Sequence, residues 1–220
     1  MTFSEAANPD LPWRERGLER NLGAARARSV ERLERLVGAA RDLANETGSA
    51  SFTVQQVCAR SGISLKGFYA GFPGKDELLV ALLEEDSRLG AEILRGWVDA
   101  HTAPLDRLRS YVTGVFDLVA LPGATGYARV LVGEHRRLSD EHPDDLERAL
   151  APLLSLLASE IDAATRAGAM ASSDPARDAN TMFAVVLGGV HDVTAGRADA
   201  CETAEYLWEF CSSGLKGPTR

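Results

Sequence analysis

Cysteine is scarce in this chain of 220 residues: three occur, Cys58, Cys201 and Cys211, an odd number with no CxxC spacing. That pattern excludes a disulfide framework and a cysteine-based zinc site. The four histidines, His101, His135, His142 and His191, lack HxxxH spacing and have no cysteine close by. No metal and no other cofactor is therefore expected, and Glu134-His135 and Glu141-His142 read as solvated pairs. No uninterrupted apolar run approaches the ~20 residues needed to span a bilayer. The first thirty residues contain no apolar segment of the secretory kind. The expectation is a cytoplasmic protein without a membrane partner. Enzyme signatures are missing too: there is no GxSxG, no phosphate loop and no GxGxxG, and the serines have no plausible base by sequence. Catalysis is not expected. No period-2 strand pattern and no internal repeat is found, which removes sheet architectures.

What is present is a composition of 45% hydrophobic and 25% charged residues, enough to build a buried core. The net charge of −8 would by itself argue against nucleic acid. Its distribution argues the other way. From Leu11 to Lys75 there are eleven Lys+Arg against six Asp+Glu, a local +5, whereas Asp76 to the C-terminus carries −11. A basic front on an acidic rear suits a protein that offers one end to phosphates. An imbalance between solvated helices would look the same, so charge alone does not decide.

Residues 1–27 lack a sustained pattern. Pro9, Pro12, Gly17 and Gly23 punctuate them, and Arg14, Arg16 and Arg20 make them basic. They read as a flexible arm with at most a short helical turn, either a solvated tail or a contact to a phosphate backbone or minor groove. Helical periodicity starts near Ser29, where Val30, Leu33, Val37, Ala40 and Ala44 follow a three-four spacing. Further amphipathic segments follow at roughly 53–60, 64–71, 75–99, 104–120, 124–138, 144–167, 175–192 and 200–214. Breaks fall at Gly48, Gly62, Pro73-Gly74, Pro104, Pro122-Gly123, Pro143, Gly168 and Asp174-Pro175. The fold class is all-α, with about nine helices. The boundaries are an arm at 1–27, a three-helix head at 28–74, and a larger helical domain at 75–220.

The informative stretch is 51–79, SFTVQQVCARSGISLKGFYAGFPGKDELL. Thr53 followed by Gln56 is a capping box, so a helix should begin there. Ser61-Gly62-Ile63 makes a three-residue turn, with Gly62 free to take the left-handed conformation that ends a helix. Ser64 can cap a second short helix through Phe68 and Tyr69. Two helices of about two turns, joined by a glycine-containing turn, are the pattern of a helix-turn-helix. Neither is stable alone, so both must pack on the preceding helix. A recognition helix exposes small or polar side chains at its N-terminal end to enter a major groove about 12 Å wide. Leu65, Lys66 and Gly67 hold that end. Lys66 can reach a base edge or phosphate, and Leu65 can meet a thymine methyl. An ordinary helical hairpin inside a bundle would share the periodicity.

Residues 29–82 resemble the N-terminal domain of the TetR family of bacterial transcription regulators. The matching words are FTVQQVCARSGIS, then FY at 68–69, then FPGKDELL at 72–79, about a quarter of the chain. The resemblance implies roles at matched positions. Tyr69 and Lys75 resemble phosphate contacts, and Phe72 looks like the buried aromatic that fixes the end of the recognition helix. Thr53 resembles the residue capping the second helix against the DNA backbone, and Ser64, Leu65, Lys66 and Gly67 sit where members read bases. Ala70 and Gly71 depart from the family, in which many members carry larger polar or aromatic residues after the tyrosine. A backbone contact made from position 71 then falls away, and the arginines of the arm are the candidates to compensate.

In the larger domain, Phe183, Val186, Leu187 and Val190 on one helix form an apolar stripe, and so do Ala204, Trp208 and Cys211 on the next. They are the expected homodimer interface, because two heads on a palindrome need a fixed spacing. Part of each stripe also serves as internal core. Trp97, Tyr111, Phe116, Tyr127, Arg129 and His135 are the candidates to line a ligand cavity, and the apolar bias suggests a hydrophobic or amphipathic effector. Pro152 falls inside a helical stretch, where a kink could open space. The expected function is a ligand-responsive regulator, by family default a repressor, bound to a double-stranded operator. The competing reading is a helical ligand-binding or adaptor protein without sequence-specific DNA binding.

Overall fold

The computed structural model describes residues 12–121 and 124–215, over residues 12–20 as backbone alone. Nine helices and no strand are found among the described residues: α1 (Pro12–Thr47), α2 (Val54–Ser61), α3 (Leu65–Tyr69), α4 (Lys75–Val98), α5 (Pro104–Ala120), α6 (Ala124–Glu141), α7 (Pro143–Arg166), α8 (Pro175–Thr194) and α9 (Ala200–Gly214). No single one of them is long and apolar enough to cross a membrane. Four helices, α1, α5, α7 and α8, begin with proline, whose missing N–H costs nothing at that position.

One boundary differs from the sequence expectation. The first helix starts at Pro12, not near Ser29, so residues 12–27 of the expected flexible arm are helical. Residues 21–28 are exposed and rest on no other element. Leucine, alanine and arginine hold them in helix by propensity, and no apolar stripe is needed to announce it. Residues 1–11 of the arm, and the expected break at Pro122-Gly123, lie outside the described residues.

The head forms where the periodic half of α1 meets α2 and α3. Leu36, Ala40, Phe52, Val57, Phe68 and Phe72 are buried together there. The helix-turn-helix chemistry is laid out as the residues dictate. Thr53 Oγ1 accepts from Gln56 N at 3.2 Å while Gln56 Oε1 accepts from Thr53 N at 2.7 Å. Gly62 takes a left-handed φ of 68°, and Ile63 N returns to Cys58 O at 3.2 Å. Ser64 Oγ accepts from Gly67 N at 3.1 Å and opens α3.

From the head, α4 runs about 36 Å at 1.5 Å per residue into the second layer, where it packs on α5 and α7. Helices α8 and α9 close the bundle against α5, α6 and α7. The head also touches the body sideways, where α1 packs on α4 and α6. In that junction Arg41 of α1 donates to Glu85 (3.0 Å) and Asp86 (2.8 Å) of α4, and Tyr127 of α6 donates its hydroxyl to Asp86.

Candidate DNA-binding face and ligand cavity

On the head, α3 presents its N-terminal end to solvent. Ser64 and Lys66 are exposed, Leu65 is 44% exposed, and Tyr69 is 58% exposed with its ring packed edge-on against Phe68 at 5.2 Å. Thr53 is exposed at the start of α2. Phe72 is buried, its ring 5.9 Å from Phe68 and its N–H on Phe68 O at 2.9 Å, so it terminates α3.

Two expected site residues have internal roles. A Cβ at Gly67 would lie 2.8 Å from Ile63 Cγ2 and 3.6 Å from Arg32 Cδ, so this glycine serves the close approach of α3 to its surroundings. The Lys75 ammonium donates to Ala50 O and lies 5.0 Å above the Phe52 ring, tying α4 to the loop before α2. Gly71 has a packing reason of the same kind, because a Cβ there would overlap Leu33 Cδ2 of α1. The departure at position 71 thus belongs to the contact between α3 and α1. Arg32 and Arg35 flank the same contact; Arg35 donates to Ser61 O at 2.5 Å.

Inside the body, α4, α5, α6, α7 and α8 enclose a cavity of about 180 Å³. Its wall is aliphatic, with Leu83, Leu118, Leu131, Leu153 and Val186 among the lining residues, and Asp86, Ser87 and His135 as polar or ionisable interruptions. Of the six residues expected to line it, His135 alone does. Tyr111 is fully buried and donates to Leu153 O at 3.1 Å, beside Pro152 of α7. Phe116 fills the core where a Cβ on Gly189 would stand 3.0 Å from its ring. Trp97 covers Gly114, Arg129 donates to Thr194 O at the end of α8, and Tyr127 holds Asp86 from behind. Apart from His135, aromatic and polar character selected residues that brace the helices, whereas the cavity wall is mostly aliphatic, with Phe183 its one aromatic ring of the Phe, Tyr or Trp kind. A signal for it exists in the sequence: Asp86, Ser87 and Gly90 interrupt the apolar stripe of α4 between Leu83 and Leu94. The cavity lies next to Pro152, between Leu150 and Leu153.

Burial shifts the ionisable groups there. It raises the Asp86 carboxyl above its ordinary value, against the opposing pull of Tyr127 and Arg41. It raises the Tyr127 hydroxyl, with Asp86 adding to the effect, and it lowers His135. One group of metal-ligand types is found among the described residues, Asp76, Glu141 and His142. Arg137 already bonds Asp76 at 2.7 Å and Glu141 at 2.5 Å, so a guanidinium supplies the cation. Glu141 and His142 belong to that cluster, with His142 Nε2 3.5 Å from Asp76, and are not merely solvated.

The expected pairing residues are mostly internal. Phe183, Val186, Val190, Ala204 and Cys211 are buried in the chain's own core, and Leu187 and Trp208 are half-buried. The most apolar stripe of a helix is the one its own bundle covers, which is why hydrophobicity picked it out. The opposite faces expose Ala184 and Gly188 on α8, and Tyr206 and Phe210 on α9, which are 65% and 59% exposed.

Residues 36–82 match the sequence family described as bacterial regulatory proteins, tetR family. No curated protein matches the chain by sequence. Among solved structures, the transcriptional regulator FadR from Bacillus subtilis in complex with stearoyl-CoA superposes with a TM-score of 0.69 and 18% identity, over 83% of this chain and 98% of that one. RolR in complex with resorcinol superposes with a TM-score of 0.67 and 16% identity, over 86% and 89%. A TetR-family regulator from Rhodococcus sp. gives 0.63 and 20%, over 85% and 100%. By sequence over its head, and by fold over the described chain, this protein carries the architecture of the tetR family of bacterial regulatory proteins.

Proposed function

We propose that the protein is a dimeric transcription regulator that binds a palindromic operator and is released from it by a small apolar effector. One observation carries this reading: the exposed end of α3, on a basic head, is joined by the single helix α4 to an apolar cavity in an acidic body. Ser64, Leu65 and Lys66 would read bases, and Tyr69 with the amide end of α2 at Thr53 would hold phosphates. Two heads on successive major grooves need a dimer, and Ala184, Gly188, Tyr206 and Phe210 supply an apolar, unoccupied face for it. The volume of 180 Å³ is nearer to a resorcinol-sized ring than to a long acyl chain, since a cavity of about 150 Å³ already holds benzene. Repression is the default that the family likeness supplies. No reaction is assigned, and work on DNA places the protein in the cytoplasm.

The test is fluorescence anisotropy with DNA flanking the protein's own gene, at two salt concentrations, against unrelated DNA. Sequence-dependent binding that weakens with salt, with a log-log slope of about 0.9 per neutralised phosphate, is expected. Lys66→Ala should relax sequence preference by about 1–3 kcal/mol, whereas Tyr69→Phe should weaken binding to all DNA alike. Failure to bind any DNA, including a pool of genomic fragments, would overturn this reading and leave the adaptor.

A further inference from the structure

We infer that Asp86 is the contact point for the effector and the link from the cavity to the head, and that its ligand is a small apolar amine. This deepens the proposed function and rests on the cavity being the effector site. Asp86 is the one carboxylate on a wall that is otherwise apolar, aliphatic but for Phe183, apart from Ser87 and His135. An acid entering this space meets a like charge. His135 is pushed by burial towards its neutral form and offers no compensating cation. A protonated amine can pair with the Asp86 carboxyl, and that pairing opposes the burial that favours the neutral acid.

The same carboxylate holds the head. One oxygen accepts from Arg41 of α1 at 2.8 Å and the other from the Tyr127 hydroxyl of α6. Those two bonds leave lone pairs free, since a carboxylate offers about four acceptor directions. Arg41 has a second partner, Glu85, at 3.0 Å and more exposed than Asp86. An ammonium on Asp86 therefore competes with Arg41, which retains Glu85 and moves its bond towards the surface. Two arrangements of Arg41 on α4, one with Asp86 and one without, are the two-state element that a ligand needs if it is to bias the head. The junction is tight enough to transmit this: a Cβ on Gly126 of α6 would stand 3.7 Å from Asn45 O of α1.

The test uses three probes with one ring and different charge, benzylamine, benzyl alcohol and benzoate, titrated calorimetrically into the full-length protein without DNA. Benzylamine is expected to bind at least about tenfold more tightly than benzyl alcohol, the factor of one charge-assisted hydrogen bond, with benzoate weakest. Asp86→Asn should abolish the preference. Should that variant not fold, Arg41→Gln leaves the cavity intact, frees Asp86 of its competitor and should tighten benzylamine binding by about tenfold. Hydrogen exchange of α1 over residues 36–47 should rise with benzylamine alone. Equal binding of amine and alcohol, no binding of any probe, or an unchanged preference in both variants overturns the proposal. A protein that shows the amine preference yet ignores DNA overturns the proposed function instead, so the two failures are distinct.

Discussion

Glu160 is nearly inaccessible, and both its oxygens are taken by Arg107, Nε at 2.7 Å and an Nη at 2.8 Å. Arg107 also reaches Asp99 at 2.9 Å and His101 O at 3.3 Å, so one guanidinium clamps α7 to the turn between α4 and α5. Glu160→Ala leaves that cation half-paired at a partly buried site. It should cost about 2 kcal/mol, less than the loss of a fully buried pair, because Arg107 is still a quarter exposed and keeps Asp99. A urea midpoint unchanged in the variant would refute this. Gly71 presents the opposite case, where the absence of a side chain matters. The Cβ added by Gly71→Ala falls on Leu33 Cδ2, and overpacking of that kind costs about 1–3 kcal/mol. Leu33→Ala removes the obstacle. The double variant should therefore lose less than the sum of the two single losses, and strict additivity in thermal melts would show that the two residues do not meet.

Among the elements, those defined by local chemistry were legible in the sequence. The capping pair Thr53 and Gln56, the turn at Gly62 and the cap at Ser64 each fix a few backbone groups with neighbours in sequence, and all three are found as expected. What depends on tertiary packing was not. The extension of α1 ahead of Ser29 is exposed over residues 21–28 and has no packed face there to betray it, and the choice between the two sides of α8 and α9 depends on what the rest of the bundle covers. Asp86 went unnoticed because one acid on a helix is ordinary until α1 and α6 converge on it. The start of α4 is a further element held by distant groups: Asp76 pairs with Arg137 of α6 at 2.7 Å. The Arg137 guanidinium holds the Asp76 carboxyl below its ordinary 3.8, outweighing the burial that raises it. A carboxyl lowered in the fold stabilises above its ordinary value and loses that contribution as pH falls through the lowered one. Asp76→Asn should therefore sit at a constant deficit above pH 3.8 and converge on the native protein below it. Melting curves between pH 2 and 6 check this, and a deficit independent of pH would remove the ion pair as its cause.

At the scale of the whole molecule, two surfaces must cooperate if a change in one cavity is to matter to DNA. On the proposed function, a basic head at +5 would be the end drawn to phosphates and the acidic body the end repelled by them, so the charge distribution would orient the chain on approach. Orientation does not fix spacing. That requires a second head held rigidly, and the rings of Tyr206 and Phe210 on α9, with the small residues Ala184 and Gly188 on α8, are exposed surface that could take a partner. A stable pair buries about 1,200–2,000 Å² in total, so these two rings would sit at its centre rather than comprise it. Replacing both by aspartate places two charges in that centre while touching no buried core residue. The Tyr206→Asp, Phe210→Asp protein should keep its helical content and melt cooperatively but run as a monomer by light scattering. Its heads then bind independently, and affinity for a full palindrome should fall by about 10²–10⁴, the gain that tethering two modest sites provides. Affinity for an isolated half-site should stay as it was. A variant that remains a dimer would move the interface elsewhere on the body. A monomer that keeps full operator affinity would show that one head suffices, and the spacing mechanism would fall with it.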